Sequence, residues 1–250
     1  MRNILLDLEY DGSDFLGSQI QARGRTVQGE LEKALHKLTQ QETRVTLAGR
    51  TDTGVHALAQ RVNFHTASVL PLETFVRGLN ALLPPDMAVR RAQEVPEAFH
   101  ARFDARRRTY RYTIYNAPVR SPLARRVAWH ISTPLDVQTM VAGLEMLTGE
   151  HDFASFAASG PDGKQRTTIR RVEEAQCWRE DPWVYVRIAA NAFLRRMVRN
   201  IVGQIVLLGQ GRCDLAEFRA IWQSGDRRRA GPPAPAQGLC LVEVKYETVI

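Results

Sequence analysis

The chain is 250 residues long, enough to bury the core of one large domain or of two small ones. With 44% hydrophobic and 24% charged residues, no apolar run near the ~18 residues of a membrane span and three scattered cysteines outside any CxxC or Cys/His cluster, the sequence excludes a helical membrane protein, a disulfide framework and a structural zinc site. A net charge of +7, with only four lysines (Lys33, Lys37, Lys164, Lys245) among 34 basic residues, favours a polyanionic partner, and an arginine bias suits RNA as well as it suits host composition.

The opening MRNILLDLEYDG enters a strand pattern without a signal-peptide core, so a reduced, cytoplasmic, soluble protein is expected. Arg2 to Tyr10 alternates as a strand and breaks at Asp11-Gly12. Thr26 is placed to cap a helix, VQGELEKALHKL, whose Val27, Leu31, Ala34, Leu35 and Leu38 share a stripe. A strand-like RVTLAG begins at Arg44, a turn follows at Asp52, and QRVNFHT reads as the next strand. Leu72 to Leu83 is helical in pattern and stops at Pro84-Pro85, and Met87 to Val95 returns to strand. That order, β-α-β-β-α-β, is the ferredoxin-like one.

The second half repeats the order without repeating the sequence. RRTYRYTIYN is a strand with Tyr110, Tyr112 and Ile114 on one face and Arg111, Thr113 and Tyr115 on the other. Val137, Met140, Val141, Leu144 and Leu147 make a helical stripe that ends at Gly149. TTIRRVEEAQCW and PWVYVRIAA form a hairpin around Glu180-Asp181, and Asn191 is placed to cap a helix from Phe193 to Gly209. A short helix LAEFRAIW, a loop AGPPAPAQG and a closing strand LCLVEVKYE complete the chain. The expected fold is α+β: two ferredoxin-like units, residues 1–104 and 105–250, sharing a continuous, mostly antiparallel sheet with a cleft between them.

Three features carry chemistry. Asp52, in AGRTDTGVHA, is either a turn aspartate or a carboxylate projected over a sheet. The Asp-Thr-Gly of aspartic peptidases is a third reading, but those enzymes pair two such carboxylates and this chain has one such triplet. Tyr110 and Tyr112, flanked by Arg106, Arg107, Arg108 and Arg111, form either a base-stacking surface or a core edge with solvated arginines. Arg195 and Arg199, four apart on the expected helix, share a face, and an arginine inside MVRNIVGQIVLL requires an anion, for which Asp52 is a candidate. His56, His65, His100, His130 and His151 have no metal-ligand spacing and read as ordinary polar or RNA-contacting residues. The segment Gly160 to Lys164, beside Arg166, Arg170 and Arg171, reads as a solvated loop or an RNA contact.

GRTDTGVHA closely resembles the GRTDAGVHA signature of the tRNA pseudouridine synthase A (TruA) family. LEYDGSDFLG, RTVQGELEKAL, GLNALLP, FHARFDA, RTYRYTIYN, GEHDFASF and NAFLRRMVRNIVG follow in that family's order over nearly the whole chain. Ser18 stands where the family usually has tryptophan, and Thr53 where it usually has alanine. The resemblance implies the pseudouridine synthase fold and a homodimer that isomerises uridines 38, 39 and 40 of the tRNA anticodon stem-loop without metal or organic cofactor. It further implies that Asp52 is the catalytic carboxylate, that Tyr110 stacks on the target base and helps remove its C5 proton, and that Arg199 pairs with Asp52. Arg50 would displace the target nucleotide or take its place, with His56 also on the substrate side. Burial alone would raise an aspartate pKa and a nearby arginine would lower it, which is the physical reason to require a cation beside Asp52. The alternative is an RNA-binding or tRNA-folding protein without catalysis; Asp52, Tyr110 and Arg199 together favour the enzyme.

Overall fold

Alternation in RNILLDLEY becomes strand β1 (Arg2–Tyr10), with Ile4, Leu6 and Leu8 fully buried. The computed structural model describes residues 1–158 and 167–247, in two units: Met1–Arg108 with Cys240–Ile250, and Thr109–Leu239. The expected loop from Gly160 to Lys164, with Arg166, lies outside the described residues.

In the first unit, helix α1 (Val27–Thr39) starts where expected, because the Thr26 hydroxyl accepts from the Gly29 amide at 3.2 Å. Its stripe is buried except for the half-buried Leu38. Strand β2 is only Thr46–Leu47, shorter than its β-rich sequence suggests. The reason is local: the Val45 amide donates to the Glu32 carboxylate at 3.1 Å, outside any ladder. Strand β3 (His56–Thr66), helix α2 (Leu72–Leu82) and strand β4 (Met87–Val95) follow, and the closing strand β10 (Leu239–Tyr246) returns to this unit. The order is β4-β1-β3-β10, with β2 also on β3. Antiparallel β2 occupies one stretch of the β3 edge, at Val62 and Asn63, and parallel β10 occupies another, at His56 and Ala57. Phe64 and Phe75 meet edge-to-face at 5.8 Å, tying α2 to the sheet.

Strand β5 (Ala105–Asn116) starts in the first unit and belongs to the second from Thr109. Its alternation is as expected, with Tyr110, Tyr112 and Ile114 buried and Arg111, Thr113 and Tyr115 half-buried. The second unit has strand order β5-β9-β8-β7, from β7 (Gly149–Asp152), β8 (Ile169–Glu180) and β9 (Trp183–Ala190), with β6 (Trp129–Ile131) parallel along β5. Helix α3 (Val137–Glu145) is capped by Asp136, and α5 (Leu215–Gln223) by Asp214. The fold is thus α+β, with mostly antiparallel pairing.

Helix α4 corrects the sequence reading. It spans Met197–Gly209, four residues later than expected, and Asn191 does not cap it. The Asn191 side-chain oxygen instead accepts from the Arg171 amide at 3.1 Å and from Ala192 at 2.8 Å. Arg196 takes the left-handed conformation, φ 60°, immediately before the helix. Arg195 therefore precedes the helix, and the expected shared face with Arg199 does not exist.

Candidate active site

The segment AGRTDTGVHA joins the end of β2 to the start of β3, and it is held by its backbone at Ala48, Gly49 and Thr51 and by the Thr51 hydroxyl. The Gln60 side-chain amide acts like a short strand against Gly49, donating to its carbonyl at 2.8 Å and accepting from its amide at 3.3 Å. Ser18, fully buried, donates its amide to the Thr51 carbonyl at 3.1 Å and accepts from the Thr51 amide on its hydroxyl at 2.9 Å. The Thr51 hydroxyl lies 2.9 Å from the Tyr10 hydroxyl, which also accepts from Gln60 at 3.3 Å. Burial pushes the Tyr10 phenol up to about 12, so it stays a neutral hydroxyl in this network. Finally, the buried guanidinium of Arg108 donates to the Ala48 carbonyl from Nε at 3.2 Å and Nη2 at 2.8 Å.

Two glycines let the loop lie this close. A Cβ on Gly12 would sit 2.0 Å from the Val55 carbonyl oxygen. Gly17, at φ +91°, faces the Thr51 carbonyl, where a Cβ would sit 2.9 Å away. Between those supports the chain turns, with the Val55 amide donating to the Asp52 carbonyl at 3.1 Å. Asp52 is half-buried on this turn, while Arg50 and Thr53 are exposed. His56 is buried: its Nδ1 accepts from the Gly12 amide at 3.0 Å and lies 3.1 Å from the Asp11 carboxylate.

In the second unit, Tyr110 is buried on β5 with the Phe193 ring edge-on, centroids 5.1 Å apart and planes at 90°. Arg199 sits in the first turn of α4, half-buried. Its Nε donates to the Ala234 carbonyl at 2.7 Å, and its own carbonyl accepts from the Ala234 amide at 2.9 Å. The proline-rich loop AGPPAPAQG therefore orients this guanidinium. It can do so because Gly203 leaves room for it; a Cβ there would lie 2.1 Å from the Pro232 carbonyl oxygen. The same loop is fixed farther on by the Tyr112 hydroxyl, which donates to Pro235 at 2.8 Å.

Several expected contact residues serve the fold. Arg106 pairs with Glu247 at 2.7 Å and Arg107 with Glu243 at 3.8 Å, while Arg111 lies over the Tyr185 ring at 5.7 Å. His130 and His151 meet the carbonyls of Ala117 and Thr148. Among the described residues no group of three His, Cys, Asp or Glu could hold a metal ion. No helix among them is long and apolar enough to cross a membrane. Sequence reasoning did not find Tyr10, Gln60, Gly12 or Gly203 as supports, and it placed Ser18 only as a departure from a pattern.

A family model described as tRNA pseudouridine synthase matches residues 8–104 and 144–247. Asp52 and Arg199 fall inside these blocks and Tyr110 between them. The chain is 49% identical over 250 residues to tRNA pseudouridine synthase A of Roseiflexus sp. (strain RS-1), covering 98% of this chain and 91% of that protein. The proteins of the same name from Chloroflexus aurantiacus (strain ATCC 29366) and Geotalea daltonii are 47% and 45% identical, each over 98% of this chain and over 89% and 100% of their own lengths.

Proposed function

The chain belongs to the tRNA pseudouridine synthase family and is an isomerase, and on that premise we propose that it converts uridines 38, 39 and 40 of the tRNA anticodon stem-loop to pseudouridine with Asp52 as the essential carboxylate. The observation that carries the assignment is the Asp52 loop. A turn that served only to connect β2 and β3 has no need of Ser18, Thr51, Tyr10 and Gln60 beneath it, since exposed turns are ordinarily satisfied by water. A rigid backbone under a half-buried carboxylate is what a reacting group requires.

The reaction breaks the N1–C1′ bond, turns the uracil and rebuilds the bond through C5; the C5 proton is released and the freed N1 takes one up, so that product and substrate are isomers. The Asp52 carboxylate starts it by attacking C1′ or C6 or by taking the C2′ proton, and every one of these routes needs it ionised and shielded from water. Arg199, with its orientation fixed by Ala234, is assigned as the cation that keeps Asp52 ionised. Tyr110 is the wall on which the detached base stacks, an interaction of roughly 1–3 kcal/mol per base. Taking the uridine from its stack costs a few kcal/mol, and Arg50, exposed two residues before Asp52, offsets this by contacting the vacated position or the backbone. The enzyme acts in the cytoplasm as a homodimer, uses no cofactor, and has His56 at the substrate side of the loop.

Carbodiimide mapping by primer extension on a tRNA transcript with uridines at 38, 39 and 40 tests the assignment. New stops at those positions after incubation are expected. Stops elsewhere in the tRNA with none at 38–40 would overturn the positional assignment.

A further inference from the structure

The entry to α4 carries more positive charge than the proposed chemistry uses. Arg196 is held at φ 60° and ψ 8°, the left-handed conformation that a side-chain-bearing residue adopts only at a cost. Beside it, Arg227 is fixed by two neutral oxygens: Nη1 donates to the Ala230 carbonyl at 2.9 Å and Nη2 to the Asn200 side chain at 3.0 Å. Asn200 is itself buried and anchored, donating to the Phe156 carbonyl at 2.7 Å, so its oxygen is committed to Arg227. Arg196, Asn200, Arg227 and Arg228 line one open pocket of about 440 Å³ with Pro232.

Among the described residues the charges in that pocket do not balance. Arg228 is neutralised by Asp226 at 2.8 Å, and that pairing holds the Asp226 carboxyl down at about 2. Arg196 and Arg227 have no carboxylate partner among the described residues. Burial, and then the like charge of Arg196, lower the pKa of Arg227. Two guanidiniums held together at a loss, at the positive end of a 13-residue helix without a side-chain cap, are stabilised by an anion with several acceptor oxygens. The chain's net charge of +7 and its family's substrate make phosphate the anion to expect.

We propose that this pocket of the second unit, with Arg196 and Arg227 as its ligands, binds a backbone phosphate of the tRNA substrate. The proposal rests on tRNA being the substrate but not on any role of Asp52.

The test is equilibrium binding of a tRNA transcript at several salt concentrations to wild type, Arg227→Gln and Arg196→Gln. Loss of one phosphate contact should weaken binding about tenfold in low salt and make the slope of log K against log salt shallower by about one. Arg227→Gln also loses bonds to Asn200 and Ala230 and would be expected to melt lower. Arg196→Gln loses none within the described residues and relieves the like charge beside Arg227, so it should shift the slope without lowering the melting temperature. Unchanged slopes in both variants would overturn the proposal. Inorganic phosphate, compared with chloride at equal ionic strength, separates the two sources of the anion: if it raises the melting temperature of wild type but not of the variants while the slopes stay equal, the pocket takes a free anion and the RNA assignment falls. Binding is read without turnover. A shallower slope in a protein that forms no pseudouridine would leave the pocket standing and remove the isomerase assignment alone.

Discussion

Behind the Asp52 loop stands Gly12, whose missing Cβ would lie 2.0 Å from the Val55 carbonyl oxygen; behind the loop that holds Arg199 stands Gly203, whose missing Cβ would lie 2.1 Å from that of Pro232. Both units thus bring an irregular segment against regular structure by omitting a side chain. They differ in what is then gripped. Around Asp52 the bonds fall on its neighbours Gly49 and Thr51, through neutral groups of Ser18, Tyr10 and Gln60, and on Ala48 through the Arg108 guanidinium. At Arg199 a bond falls on the guanidinium itself, from Ala234. A short aspartate goes where its backbone goes, whereas a long arginine has to be steered near its tip. Substitutions behind Asp52 should therefore act through the backbone, and those behind Arg199 through the side chain.

The largest effects on stability should come from Gly12→Ala and Gly203→Ala. Neither carbonyl can accommodate a methyl group, so Gly12→Ala should lose about 3 kcal/mol in urea unfolding, and either variant more than tenfold in turnover. The Gly203 variant should lose about 1 kcal/mol less, because alanine is the better helix former. A stabilised Gly203→Ala would mean that the proline loop does not bear on α4.

Next comes Arg199→Lys, which keeps the charge and loses the fork. Turnover about 10²-fold lower, with tRNA binding little changed, is expected; full activity would show that the bond to Ala234 steers nothing of consequence. Smaller effects are expected behind Asp52. Ser18→Ala leaves the Thr51 amide without its acceptor, at about 1–3 kcal/mol, and Tyr10→Phe removes a shared hydroxyl, at about 1 kcal/mol. Both should lower kcat several-fold and leave KM unchanged. A change confined to unfolding would reduce the network to a structural one.

The smallest signal is a pH dependence. The Tyr10 phenol rises from 10.0 to about 12 on folding, so above pH 10 the unfolded chain releases its proton first. The stability due to its neutral form is complete below pH 10 and is lost as pH rises toward 12. Wild type should lose more stability than Tyr10→Phe across that window, and parallel curves would place Tyr10 in contact with water.

Much of this architecture was legible in the sequence, for identifiable reasons. Strands β1 and β4, helix α2 and the β8–β9 hairpin have strong periodicity and clear stops, at Asp11-Gly12, at Pro84-Pro85 and at Glu180-Asp181. The start of α4 was not legible. Asn191 looks like a cap, but its oxygen is used by Arg171 across the sheet, and nothing local marks Arg196 as left-handed. Asp52 and Arg199 were found through a recognisable pattern of residues. Their supports were not, because Tyr10 and Gln60 lie 50 positions apart and meet only through the antiparallel pairing of β1 with β3. Ser18 shows the same limit: its sequence context marks only a departure from the usual tryptophan, whereas in the fold its hydroxyl holds the Thr51 amide.

If Asp52 carries the chemistry, hydrogen release from tRNA labelled at uridine C5 depends on its carboxylate, because the new bond cannot form without expelling that hydrogen. Wild type should release the label, and Asp52→Asn should bind the same tRNA and release it at least about 10³-fold more slowly. Equal release by both proteins would contradict the account and leave the supports beneath the loop without the purpose assigned to them.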